Sequence, residues 1–244
     1  MKKLFFLFYS ILSVVVYANQ LPKVDMTNDV IKSVIGNEKY VIDNSKVIIK
    51  VPIFADNPVQ VPISVDASQI KNAKRLVIFA DYNPISQILD MNVKNLLPVF
   101  STNIKIANET PLRVLVQNEN GTWYIASALI KSMGGGCSVS SLASVDEEFE
   151  ELFGTSKGKI LQKNTHQEIQ ASIFHPMETG LIFGNPEFYI HKIIIKSSGK
   201  IISDMTVTAA ISENPRFIFK TKEIFKNINI EFIDNNGNNF ELDL

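Results

Sequence analysis

The chain has 244 residues, 24 basic and 25 acidic side chains, one cysteine and three histidines. This near-neutral balance excludes a basic nucleic-acid binder, which needs a positive patch or stripe. Cys137 and the scattered His166, His175 and His191 lack any recognised metal-ligand spacing, so no metal site is expected. The sequence also contains no G-x-S-x-G, H-E-x-x-H or phosphate-loop motif.

The chain opens as an export signal. Lys2 and Lys3 precede an apolar run from Leu4 to Val16, broken by Tyr9, Ser10 and Ser13. Val16-Tyr17-Ala18 then supplies a cleavage site, giving a signal peptide over 1–18. The run falls short of the roughly 20 apolar residues of a membrane span, so a periplasmic protein without a membrane anchor is expected. Residues 1–18 hold two lysines and no acid, leaving 22 basic and 25 acidic residues beyond them.

Export places Cys137 in an oxidising compartment without a cysteine partner in its own chain. Such a residue is a reactive thiol, an intermolecular disulfide partner or an inert buried hydrophobe.

A short helix is predicted over Asp25–Gly36, with Val30, Ile31, Val34 and Ile35 at helical spacing. Strand-like runs follow at Val47–Phe54, Val59–Val65, Arg75–Ala80, Pro98–Ile106, Leu112–Gln117 and Trp123–Ile130. Turns at Asp56-Asn57-Pro58, Asp81-Tyr82-Asn83-Pro84 and Asn118-Glu119-Asn120-Gly121 separate several of them. Residues 133–159 read as a linker: Gly134, Gly135 and Gly136 precede Cys137, serines follow, and Asp146–Phe153 suggests a short acidic helix. A second strand series covers Glu168–Phe174, Glu187–Lys196, Lys200–Ala209, Arg216–Lys220, Ile228–Ile233 and Asn238–Asp243. The expectation is an all-β chain of two immunoglobulin-like antiparallel β-sandwich domains, over 25–132 and 160–244, joined by a flexible linker with a short helix.

Three glycines give the cysteine segment wide backbone freedom, and a core cysteine would sit in an apolar periodic run. An exposed thiol on a mobile arm is therefore expected, with Lys131 near enough in sequence to assist it. The composition fits equally a covalent carrier arm and a plain linker with an incidental cysteine. His175-Pro176-Met177-Glu178-Thr179-Gly180 is the other unusual string, readable locally as a strand-to-loop transition.

Taken together, these strings resemble the SoxYZ sulfur-carrier family, with both subunits fused in one chain. His175–Gly180, Asn214-Pro215 and the strand bearing Phe217 and Phe219 resemble the SoxZ half. The runs Ile48–Phe54 and Val59–Val65, the turn Asp81–Pro84 and Cys137 resemble the SoxY half. The chain is also similar to fusions found alongside quinoprotein dehydrogenases.

The resemblance implies a periplasmic carrier without a cofactor, holding sulfur intermediates covalently on Cys137. It implies that the chain is not itself an enzyme and that partner enzymes act on the cargo: a c-type cytochrome that loads thiosulfate and a hydrolase that releases sulfate. An alternative is a non-covalent accessory module for a quinoprotein dehydrogenase or its cytochrome. A third, a structural or adhesin-like β protein, needs no thiol. In the separate SoxY subunit glycines flank the cysteine on both sides and the arm ends the chain. Here Ser138 and Val139 follow Cys137, and the arm is tethered at both ends.

Overall fold

The computed structural model describes residues 27–140 and 149–244. The expected signal peptide, the first two residues of the expected N-terminal helix, and residues 141–148 with the start of the acidic helix lie outside the described residues. The first half comprises α1 (Thr27–Ile35), β1 (Tyr40–Ile42), β2 (Ile48–Lys50), β3 (Phe54–Ala55), β4 (Val61–Asp66) and β5 (Ala73–Ala80). It continues with β6 (Gln87–Asn92), β7 (Leu96–Ile104), β8 (Thr110–Asn118) and β9 (Trp123–Ser132). A 3-10 turn (Gly136–Ser138) and a helical turn α2 (Phe149–Leu152) lead into the second half. That half contains β10 (Ser156–Gln162), β11 (Gln167–Ile173), β12 (Glu178–Thr179), β13 (Glu187–Phe188) and β14 (Ile190–Ser197). It ends with β15 (Lys200–Val207), β16 (Arg216–Thr221), β17 (Ile228–Asp234) and β18 (Asn239–Asp243).

Alternation of apolar and polar residues sets the inner faces. In β4, Val61, Ile63 and Val65 are buried while Pro62 is exposed. β5 and β8 instead read as nearly continuous apolar runs, and both of their faces are covered. Leu76, Ile78, Val114 and Val116 enter the main core, whereas Val77, Phe79 and Leu115 pack under Val30, Ile31 and Ile35 of α1. The helix forms because its apolar residues recur at three- and four-residue spacing and have this outer sheet face to bury.

The all-β, two-half architecture agrees with the sequence expectation, but the junction does not. The two halves share both large sheets. In one, the order β1-β9-β8-β5-β6-β15-β14-β17-β18 crosses from first half to second at β6–β15. In the other, β10-β11-β16-β7-β4-β2 crosses at β16–β7. Met205 pairs with Met91 at the first junction, and Phe219 with Phe100 at the second. Phe100, Phe217 and Phe219 meet at ring-centroid distances of 5.9–6.2 Å, so one core runs through the seam. Part of the expected linker is also strand: β10 pairs with β11 along its whole length.

Candidate functional site

The segment around Cys137 lies at the meeting of the halves. The turn after β5 begins the construction. Asn83 donates from Nδ2 to the Lys105 carbonyl at 2.7 Å and accepts from the Ala107 backbone N–H at 2.9 Å. This fixes residues 105–107 as an ordered strip beyond β7. The neighbouring Asp81 and Arg113 form a wholly buried ion pair at 2.6 Å that anchors the same turn to β8.

The glycine segment then docks on the strip. Gly135 N–H donates to Ala107 O at 2.9 Å, and Gly136 N–H to Ile106 O at 3.0 Å. Gly134 and Gly135 take φ of +87° and +89°, conformations that favour glycine. A Cβ on Gly136 would stand 2.1 Å from the Pro58 carbonyl oxygen. Here the glycines permit close backbone approach. The expected exposed arm is thus corrected: Cys137 is fully buried, because the 3-10 turn folds it inward beneath the second half.

The second half closes over the cysteine with the string picked out from the sequence. Thr179 Oγ1 donates to the Cys137 carbonyl at 3.0 Å. Asn185 Nδ2 reaches Ser140 Oγ at 2.9 Å. His175, Pro176, Met177, Glu178 and Thr179 are buried, and Gly180 is exposed at φ +71°. Met177 is held at φ +53°, a left-handed conformation costly for a side-chain-bearing residue. Asn214 and His175 exchange two backbone-anchoring hydrogen bonds, His175 N–H to Asn214 Oδ1 and Asn214 N–H to His175 O.

His175 serves this loop structurally. Its Nδ1 accepts from the Met177 N–H at 3.2 Å, and its Nε2 lies 3.6 Å from Asp234 Oδ2. Phe188 and Phe153 pack on the ring at centroid distances of 4.7 and 5.5 Å. Burial pushes the imidazole down to about 4 against the opposing pull of Asp234, so it is neutral at pH 7.

Sequence reasoning missed Lys105. Only 5% exposed, its Nζ donates to the carbonyls of Met177 (2.5 Å), Ala209 (2.9 Å) and Ile211 (2.9 Å), all in the second half. Burial pushes this ammonium down to about 8, while Cys137, Glu178 and Glu213 favour its charge. Burial likewise pushes the Cys137 thiol up, and Lys105 pulls it back. Lys131, the lysine singled out from the sequence, is exposed on β9. A lysine between Ile104 and Ile106 at a strand end was the available signal. As docked, the arrangement holds a protonated thiol away from solvent.

A cleft of about 750 Å³ lies elsewhere, on the outer face of the six-stranded sheet, where Lys50, Ser64, Ser101 and Arg216 line it. Among the described residues, no group of three or more His, Cys, Asp or Glu side chains converges as a metal site.

Comparison with known families matches residues 31–137 to the sulfur oxidation protein SoxY and residues 157–244 to the sulphur oxidation protein SoxZ. The SoxY match ends on Cys137. No curated protein matches the chain. Among solved structures, the sulfur carrier protein SoxY from Chlorobium limicola f thiosulfatophilum is 27% identical. That match covers 43% of this chain and 94% of that one, with a TM-score of 0.39. A β-glucuronidase from Parabacteroides merdae is 10% identical over 82% of this chain and 24% of its own, with a TM-score of 0.25. A family 2 glycosyl hydrolase from Bacteroides cellulosilyticus is 9% identical over 81% of this chain and 28% of its own, with a TM-score of 0.24.

Proposed function

Because this chain belongs to the SoxYZ sulfur-oxidation carrier family, with SoxY and SoxZ in tandem on one polypeptide, we propose that it is an exported carrier loaded covalently on Cys137. The supporting observation is that the chain's single cysteine ends the SoxY match and is held by the His175–Gly180 string of the SoxZ half. Loading joins Cys137 Sγ to the terminal sulfur of thiosulfate. One proton leaves the thiol, and two electrons pass to a partner c-type cytochrome. A partner hydrolase then releases sulfate from the thiosulfonate. The thiolate is the competent nucleophile, so the docked, protonated thiol is a resting state. Loading requires the 134–140 segment to lift from residues 105–107.

The test is to incubate the purified protein with thiosulfate and a thiosulfate-oxidising c-type cytochrome, then weigh it intact. The expected result is a thiosulfonate adduct on the native chain and none on Cys137→Ser. An unmodified native chain overturns the reading.

The burial of Cys137 favours a second reading, a non-covalent accessory module for a periplasmic quinoprotein dehydrogenase or its cytochrome. That reading expects Cys137→Ser to leave partner capture and sulfur metabolism unchanged.

A further inference from the structure

The outer face of the six-stranded sheet takes no part in the loading step. One row of residues crosses all six strands on this face: Lys159, Gln170, Ile218, Ser101, Ser64 and Lys50, each paired with the next. Directly paired residues stand on the same side of a sheet, so the row sets a lysine at each end with hydroxyls between. The neighbouring row adds Lys157 and Arg216, joined through Ser172. The surface over these rows is concave. The cleft of about 750 Å³ runs from Lys50 to Arg216 and Ile218, and a second of about 430 Å³ runs from those two residues to Lys157 and Lys159.

Lys50, Lys157, Lys159 and Arg216 are exposed, and among the described residues none of them is held in an ion pair. The acids of this face are Asp66 and Glu168, and both are engaged. Glu168 lies opposite Lys220 and accepts from Gln170 Nε2 at 2.7 Å. Asp66 accepts from the Ser68 N–H and hydroxyl at 3.0 and 2.6 Å. Four cations are therefore gathered without a countercharge in a chain whose basic and acidic residues number 24 and 25. A concave wall concentrates such a field. The ends of the lysine row are five strand spacings apart, about 24 Å, so one small oxyanion cannot meet both. Phe217, the one aromatic residue that lines these clefts, is fully buried, which leaves no platform for stacking nucleobases.

We propose that this groove docks an acidic stretch of a partner protein. The site is separate from Cys137 and does not rest on the carrier chemistry. The test is anisotropy of a fluorescent polyglutamate peptide of ten residues, long enough to cross the groove at about 3.4 Å per residue. Salt is set at about 0.1 M, where the Debye length is about 10 Å and distant charges are screened. The native chain should bind saturably, and Lys50→Glu with Arg216→Glu should weaken binding at least about tenfold through like-charge repulsion. Lys157→Gln with Lys159→Gln, at the opposite end, should also weaken it. Lys32→Glu with Lys200→Glu makes the same charge change as the first pair, on exposed lysines of α1 and β15, and should leave affinity within about twofold.

Absence of binding, or equal loss in the Lys32 and Lys200 control, overturns the proposal. Sulfate that displaces the peptide better than sodium chloride at matched ionic strength makes this a small-oxyanion site, and tighter binding of an oligothymidylate of equal charge makes it a nucleic-acid site; either overturns it. So does binding that appears only with Asp146→Asn, Glu147→Gln and Glu148→Gln, which would give the groove to the chain's own acidic segment. The adduct experiment stands apart. An adduct without peptide binding sinks the groove alone, and peptide binding without an adduct sinks the carrier reading alone.

Discussion

At position 136 an added Cβ would meet Pro58 O at 2.1 Å and Ile106 O at 2.8 Å. Backbone oxygens cannot swing aside as a flexible side chain can, so Gly136→Ala should expel the segment from its dock. The expected outcome is Cys137 alkylation at least about tenfold faster, corresponding to about 1.4 kcal/mol of favoured opening. Gly121→Ala is the control. It has φ +78° and no atom within 4 Å of an added Cβ, so it costs about 1–3 kcal/mol of local strain in the β8–β9 turn, outside the dock, and should leave alkylation unchanged. Timed reaction with a thiol reagent and intact mass separates the two.

His175 gives a second expectation at this scale. Its folded pKa lies near 4, below the ordinary 6.5, so the unfolded chain takes up the proton first. Stability is therefore complete above about pH 6.5 and falls by about 3 kcal/mol on acidification to about pH 4. Urea unfolding across that window should show the decline, and His175→Gln should flatten it.

At the scale of elements, the strands that the sequence revealed are those with strong apolar runs. Ala73–Ala80, Thr110–Asn118 and Ile190–Ser197 all overlap their predicted spans. The strands it hid have polar or broken patterns. β6 reads Gln-Ile-Leu-Asp-Met-Asn, and β10 reads Ser-Lys-Gly-Lys-Ile-Leu-Gln. β10 is an edge strand, where one ladder of hydrogen bonds suffices and lysines guard against further pairing. β6 is central, but its place is set by partners 8–17 residues away in β5 and 112–118 residues away in β15. The aromatic seam between β7 and β16 holds these elements together. Phe219→Ala removes a fully buried ring that meets both Phe100 and Phe217, and should cost about 3–5 kcal/mol in chemical denaturation.

For the whole molecule, shared sheets make the two halves interdependent. Separated at residues 141–148, each would present open edges, β6 and β7 on one side and β15 and β16 on the other. Such edges invite aggregation when unpaired. Co-expressed as two chains, the halves should purify together at one to one. Expressed singly, each should aggregate, and a soluble, monomeric, fully folded single half would contradict this. The same seam explains why the cysteine lies where it does. Its dock is built from Pro58, Ile106 and Ala107 of one half and held by Thr179 of the other.

The sequence by itself determined the all-β class, the tandem of SoxY-like and SoxZ-like halves, the single cysteine and the unusual His175–Gly180 string. Each is local: alternation, turn chemistry and short motifs are properties of neighbouring residues. Only the tertiary structure decided that the halves share two sheets, that the glycines serve close packing, that Cys137 faces inward, and that Lys105 reaches from one half to three carbonyls of the other. Those facts depend on contacts across 27 or more residues of chain, where burial and hydrogen bonding between distant segments outweigh the conformational freedom that glycine composition alone suggests.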